Sequence, residues 1–173
     1  MSAALLTHAT GLCALVLNVV AMSVRCEKSL RVQSGIAGVV WALNNLLLGA
    51  PTAAALSLVS AGRTATSAAL LAANARLRRA SFLAFALLTS AIGVVTWDGW
   101  PSLLITTASL ASTYAMFYLG GTRLRWIMLA TSVLWMSHAW SHRSWEQVAA
   151  NAATMVAALY GAWRIEREAR ALA

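Results

Sequence analysis

Arg63 stands inside an apolar run, with Ser60, Thr64 and Ser67 around it at helical spacing. A guanidinium near the middle of a bilayer-crossing helix costs at least about 2.5 kcal/mol on the most lenient insertion scale, so it must face protein or water. Two readings stay open: an arginine that gates or binds, or a structural arginine bonded to carbonyls. A second polar stripe, Gln147, Asn151 and Thr154, follows at i, i+4 and i+7. Trp41 with Asn44 and Asn45, and Trp135 with His138, add two indole faces beside an amide or an imidazole. A helix advances about 100° per residue, which puts Trp41 and Asn45, or Trp135 and His138, on one side. A flat apolar wall with one or two hydrogen-bonding groups suits a sugar or a heteroaromatic ligand. The same polar side chains also serve to bond neighbouring helices. The expected site is therefore Trp41, Asn44, Asn45, Arg63, Trp135, His138 and Asn151.

Other chemistry finds less support. His138 and His142 have i, i+4 spacing that can chelate a metal, but no carboxylate or cysteine completes the set, so no metal or other cofactor is expected. Asp98, Glu146 and the remaining acids fall at the ends of the apolar runs, and there is no nucleophile elbow, phosphate loop or carboxylate pair. The chain does not read as an enzyme. Without a buried acid a conventional proton relay is also disfavoured, leaving His138 as the one buried group able to titrate near neutral pH.

The elements that must position these residues follow from composition. Of 173 residues 60% are hydrophobic and only 10% charged, and mean hydropathy is +0.70, which excludes the soluble globular classes. Seven apolar runs are long enough to cross a bilayer: Ala3 to Val24, Val32 to Ala50, Thr52 to Ala75, Ala80 to Trp97, Ser102 to Tyr118, Trp126 to Trp140 and Trp145 to Trp163. Between the second and third only Gly49-Ala50-Pro51-Thr52 marks a turn. That turn is required, because an unbroken helix from Val32 to Ala75 would be about 66 Å long, twice the hydrocarbon thickness. The first run lacks a basic leader and reads as a retained span. Cys13 and Cys26 do not suggest a disulfide framework.

Lysine and arginine test the count independently, since they accumulate in cytoplasmic loops. Arg25, Lys28 and Arg31 follow the first run; Arg76, Arg78 and Arg79 the third; Arg123 and Arg125 the fifth; Arg164, Arg167 and Arg170 the seventh. The other side holds only Arg143. The net charge of +8 is thereby a topology signal, with the N-terminus outside and the C-terminus cytoplasmic, and no nucleic-acid partner is implied. Six of the eight tryptophans, Trp97, Trp100, Trp126, Trp140, Trp145 and Trp163, fall at span ends, where indoles prefer the headgroup zone. Trp41 and Trp135 lie well inside.

Those two tryptophans belong to a repeat. Leu30-Arg31 with Trp41 recurs as Leu124-Arg125 with Trp135, an offset of 94 that also places Ala21-Met22 on Ala115-Met116, Asn18 on Ser112 and Asn44 on His138. A three-helix unit that starts outside ends inside, so a fourth helix is needed before a second unit can run in the same sense. The expected fold is an all-α membrane protein of seven transmembrane helices in a 3+1+3 arrangement. Its parts are residues 1–76, a linking helix 77–100, and residues 101–173 with a short basic tail.

The stretch Thr106 to Phe117, the run Arg125, Trp135, His138, Trp140, and the segment Ala55 to Arg63-Thr64 resemble the bacterial inner-membrane YgjV family over nearly the whole chain. That family is similar to the SWEET and PQ-loop transporters, which implies a SWEET-like fold and an inner-membrane location. The chain departs from those transporters in having no Pro-Gln pair, and its only prolines, Pro51 and Pro101, sit at helix starts. Where the family's arginines follow an asparagine three residues earlier, this chain has Ser60 and Gly161. The function expected is a facilitative transporter or permease for a small polar molecule, with membrane lipid as its surroundings and a homodimer left open. The alternative is a non-transporting membrane scaffold or ligand sensor, which the missing mid-helix prolines favour.

Overall fold

In the computed structural model residues 3–24, 26–70, 74–141 and 145–171 are described, and they form seven helices and no strand. These are α1 (Ala3–Ser23), α2 (Glu27–Leu47), α3 (Pro51–Ala69), α4 (Ala75–Val95), α5 (Trp100–Tyr118), α6 (Gly121–Ser141) and α7 (Trp145–Ala171). Arg25, His142 and Arg143 of the expected charge pattern lie outside the described residues, and with them the His138 and His142 pairing. The break after α2 falls where turn chemistry puts it. Gly49 takes φ 71°, Ala50 donates its N–H back to the Asn45 carbonyl at 2.9 Å, and Pro51 opens α3. Gly99 at φ 77° and Pro101 do the same between α4 and α5. Three helices start five residues earlier than the apolar runs suggest, α2 at Glu27, α4 at Ala75 and α6 at Gly121, and in α2 and α6 the added turn carries Arg31 and Arg125 into buried positions.

The short connections make successive helices antiparallel. Around the molecule the packing order is α1, α2, α3, α5, α6, α7 and back to α1, a closed ring, with α4 outside against α3 and α5. Ring edges hold α4 there: Phe82 meets Tyr114, Phe117 and Tyr118 at centroid distances of 5.2–6.4 Å. The buried apolar side chains are mostly alanines, and Gly38 brings α2 so close to α3 that a Cβ there would lie 3.1 Å from that of Ala61. Close backbone approach through small residues is how helices associate where no hydrophobic drive acts between them.

The polarity of the fold is inverted. Leu12, Val16, Ile36, Val39, Leu43, Leu87, Val94, Val95 and Val156 face outward, whereas Asn44, Asn45, Arg63, Thr64, Thr113 and Gln147 are buried. An apolar surface of this extent must be covered by something other than water. By length and composition alone, two helices qualify as spans: Leu5–Ser23 and Ala75–Val95, with mean hydropathies of 1.8 and 1.4. The remaining helices fall short because they carry the inward-facing polar groups. Of the tryptophans, the six near helix ends are exposed and Trp41 and Trp135 are half-buried.

Candidate functional site

Inside the ring is a cavity of about 130 Å³ lined by all six ring helices and by no residue of α4. At the level of α3's midpoint its wall contains Arg63, 2% exposed. Nη1 of Arg63 donates to the Ser109 carbonyl at 2.7 Å and to Thr113 Oγ1 at 2.8 Å, and Nη2 donates to Ser60 Oγ. Nε has no acceptor. Among the described residues the guanidinium is in no ion pair, and no acid lines the cavity. Thr113 in turn donates to the Ser109 carbonyl at 2.6 Å, so the arginine rests on a polar notch in α5. Arg63 thus bonds α3 to α5 and forms part of the cavity wall.

At the end of the cavity nearer the exposed Trp140 and Trp145, three helices are tied by amides. Gln147 Nε2 donates to Asn45 Oδ1, and Asn45 Nδ2 donates to Ser57 Oγ at 3.2 Å. Asn151, one turn along α7, donates to the Gln147 carbonyl at 2.8 Å and lines the cavity. At the opposite end, Met22 and Met116 close the lining.

Beyond those methionines lies a network of charged groups that the spacing of arginines in the sequence reads only as loop charge. Arg31, 2% exposed, extends from α2 to the C-terminus of α5, donating to the Met116 and Leu119 carbonyls at 3.2 and 2.9 Å. Arg125, 1% exposed and 94 residues later, extends from α6 to the C-terminus of α1, donating to Val24 at 2.7 Å. Arg164 of α7 donates to the Ser23 carbonyl at 2.7 Å. These are the orphan carbonyls of helix ends, where a cation also meets the negative pole of the helix. Glu27 accepts from the Gly121 N–H at the start of α6 and pairs with Arg31 at 3.1 Å.

The wall itself has a period. Asn18 and Ser112, Met22 and Met116, Ser34 and Met128, Gly38 and Ser132, Trp41 and Trp135, Ser57 and Asn151, and Ser60 and Thr154 all line the cavity, and the members of each pair are 94 residues apart. A model of a family described as a bacterial inner membrane protein, YgjV, matches residues 5–169. The chain belongs to the YgjV family of bacterial inner membrane proteins. No curated protein and no solved structure gives a match.

Of the residues expected at the site, Trp41, Asn45, Arg63, Trp135 and Asn151 line the cavity of this YgjV-family protein. Asn44 and His138 are not among the lining residues. Asn44 is fully buried against α1, donating to the Thr7 carbonyl at 2.8 Å and to Thr10 Oγ1 at 3.1 Å. His138, also buried, lies edge-on to Trp135 with centroids 6.2 Å apart. In α2 the cavity lies on the i+4 side of Trp41, about 40° round the helix, so Asn45 lines it and Asn44, at i+3 and about 60° round the other way, does not. Sequence reasoning missed Met22, Met116 and Met128, which an apolar scale cannot separate from lipid-facing side chains. The 94-residue offset, which places Met22 on Met116, was the signal available for two of them.

Proposed function

We propose that this protein is a facilitative permease for small polar molecules. Seven helices cross the inner membrane, and the helices before and after α4 act as two parallel units in a SWEET-like 3+1+3 order. These units correspond to residues 1–76 and 101–173, with 77–100 between them. The basic end faces the cytoplasm and the N-terminus lies outside, as the arginine distribution requires. The observation that carries the reading is the polar cavity walled by both units inside a protein whose exterior is apolar. Polar groups are costly inside a membrane and persist there chiefly where they line a path or a site. The paired lining residues favour a passage between equivalent halves, as in transporters built from repeats. In this state the cytoplasmic end is closed by Met22, Met116 and the arginine-bonded helix ends beneath them. No ion-coupling acid lines the cavity, so flux follows the gradient.

The test is a stopped-flow swelling assay on proteoliposomes challenged in turn with glycerol, glucose, alanine and acetate. At least one solute should enter faster than into protein-free liposomes, and Asn151→Trp, which enlarges a side chain of the cavity wall, should abolish the difference. Equal rates for every solute with and without protein would count against transport. A second reading, a non-transporting ligand sensor, is favoured by one observation: Pro51 and Pro101 both open helices, leaving no proline hinge within a span. Ligand stabilisation without flux would select it.

A further inference from the structure

The cavity's pairing fails at five positions, and it fails in one manner. Asn45, Arg63, Thr64, Thr131 and Gln147 line the wall, while the residues 94 positions away, Ala139, Ala157, Ala158, Ala37 and Ala53, are all alanines. Each departure thus sets a hydrogen-bonding group on one half against a methyl on the other. Asn45 and Gln147 satisfy each other across the cavity, so they link helices. Arg63 has no such counterpart. It places a positive charge on one side of an otherwise paired chamber, and the equivalent place opposite holds only a methyl group.

A guanidinium carries five N–H donors. Three of those on Arg63 are used, two from Nη1 and one from Nη2, and all three go to neutral oxygens. Carbonyl and hydroxyl oxygens solvate the buried charge without neutralising it, and among the described residues no acid lines the cavity to do so. Resting on the cavity reading above, we propose that the ligand is a small unsymmetrical organic anion. Its carboxylate is held by Arg63 and its flat apolar body lies along the paired indoles of Trp41 and Trp135. The asymmetry of the wall sets the orientation of the ligand; the paired part accommodates its body.

The test reads the charge preference of the cavity directly. In a Cys13→Ala, Cys26→Ser background, Asn151→Cys is reacted with an anionic and a cationic thiol reagent, sulfonatoethyl and trimethylammonioethyl methanethiosulfonate. The anionic reagent should react roughly tenfold faster or more, given one uncompensated charge in a poorly screened chamber. Adding Arg63→Gln should bring the ratio to about that of the free thiol, and Arg63→Lys, which keeps the charge, should restore the preference. Benzoate should slow the labelling and acetate at equal concentration should not, because only benzoate has a body for the indoles. Equal rates for the two reagents, unchanged by Arg63→Gln, overturn the anion assignment and leave the open cavity standing. Protection by acetate equal to that by benzoate, or by neither, removes the indoles from the site. If Asn151→Cys reacts with neither reagent, the water-filled cavity itself is refuted, and the permease reading with it.

Discussion

Replacing Arg31 by methionine tests whether the buried arginines at the basic end hold the two halves of the ring together. The long apolar side chain keeps most of the volume of the arginine stem while removing three donor contacts, to Glu27 and to the Met116 and Leu119 carbonyls. Removing one partner from a buried charged network costs about 3–5 kcal/mol, since the acceptors left behind lose their solvation as well as their bonds. On the scale for domains of this size, about 2–4 °C per kcal/mol, the unfolding midpoint should fall by roughly 6–20 °C. Glu27→Gln should do much less. The carboxylate is 35% exposed, so solvent screens its pairing with Arg31 and the loss is about 1 kcal/mol, while the glutamine oxygen can still accept from Gly121. The double variant should be less destabilised than the sum, because Glu27 without Arg31 is an acid beside a helix end with its partner gone. Tryptophan fluorescence on heating in detergent measures all three. An Arg31→Met midpoint within about 2 °C of the parent would refute the reasoning, as a surface arginine of little consequence behaves that way.

Further consequences follow from the same contacts. Gly161→Ala should destabilise by about 1–3 kcal/mol, because its Cβ would lie 2.6 Å from the Met22 carbonyl and 2.9 Å from Arg125 Nε; a neutral midpoint would mean that α7 does not press on α1 there. Asn44→Leu should cost about 1–3 kcal/mol through the bonds lost to α1 but leave the charge preference of cavity labelling unchanged, and a changed preference would bring Asn44 into the wall. Met116→Cys should be protected from reagents on the side of the basic helix ends and become accessible when Arg31→Met is added, if the arginine contacts close that end; accessibility without the second change would show the end already open.

The seven helices could be read from the sequence, and two of the turns between them carry their own markers. Gly49 with Pro51, and Gly99 with Pro101, are punctuation that any context reads alike, and the offset of 94 tied Trp41 to Trp135 before any cavity was visible. The side of each tryptophan that faces the cavity was not readable. Asn45 and Asn44 are adjacent, equally polar and both fully or nearly buried, yet one lines the cavity and the other fastens α2 to α1. Which does which depends on the rotation of α2 against both neighbours, a property of the assembled ring. Arg31 and Arg125 were obscured for a different reason. They obey the rule that places basic residues at the cytoplasmic side, and that rule explains them completely without asking whether they are buried.

The two kinds of buried arginine illustrate how such a chain can combine stability with a functional strain. Arg31 and Arg125 sit at equivalent places 94 residues apart, each bonded to carbonyls that would otherwise be orphaned at a helix end, and one acid, Glu27, serves the pair. Their charge is balanced by the orphan carbonyls of helix ends and, for Arg31, by the Glu27 carboxylate. Arg63 has neither advantage. It lies deep in α3, its bonds are to the side of α5 rather than to an end, and its counterpart position is Ala157. The cost of Arg63 is offset most directly by something that enters the cavity bearing the opposite charge. Arg63→Met takes three donor contacts from neutral oxygens, so without added ligand it should cost about 1–3 kcal/mol, less than Arg31→Met, while removing the preference for anions. A strong destabilisation by Arg63→Met, with the anion preference intact, would make Arg63 a structural bond and nothing more.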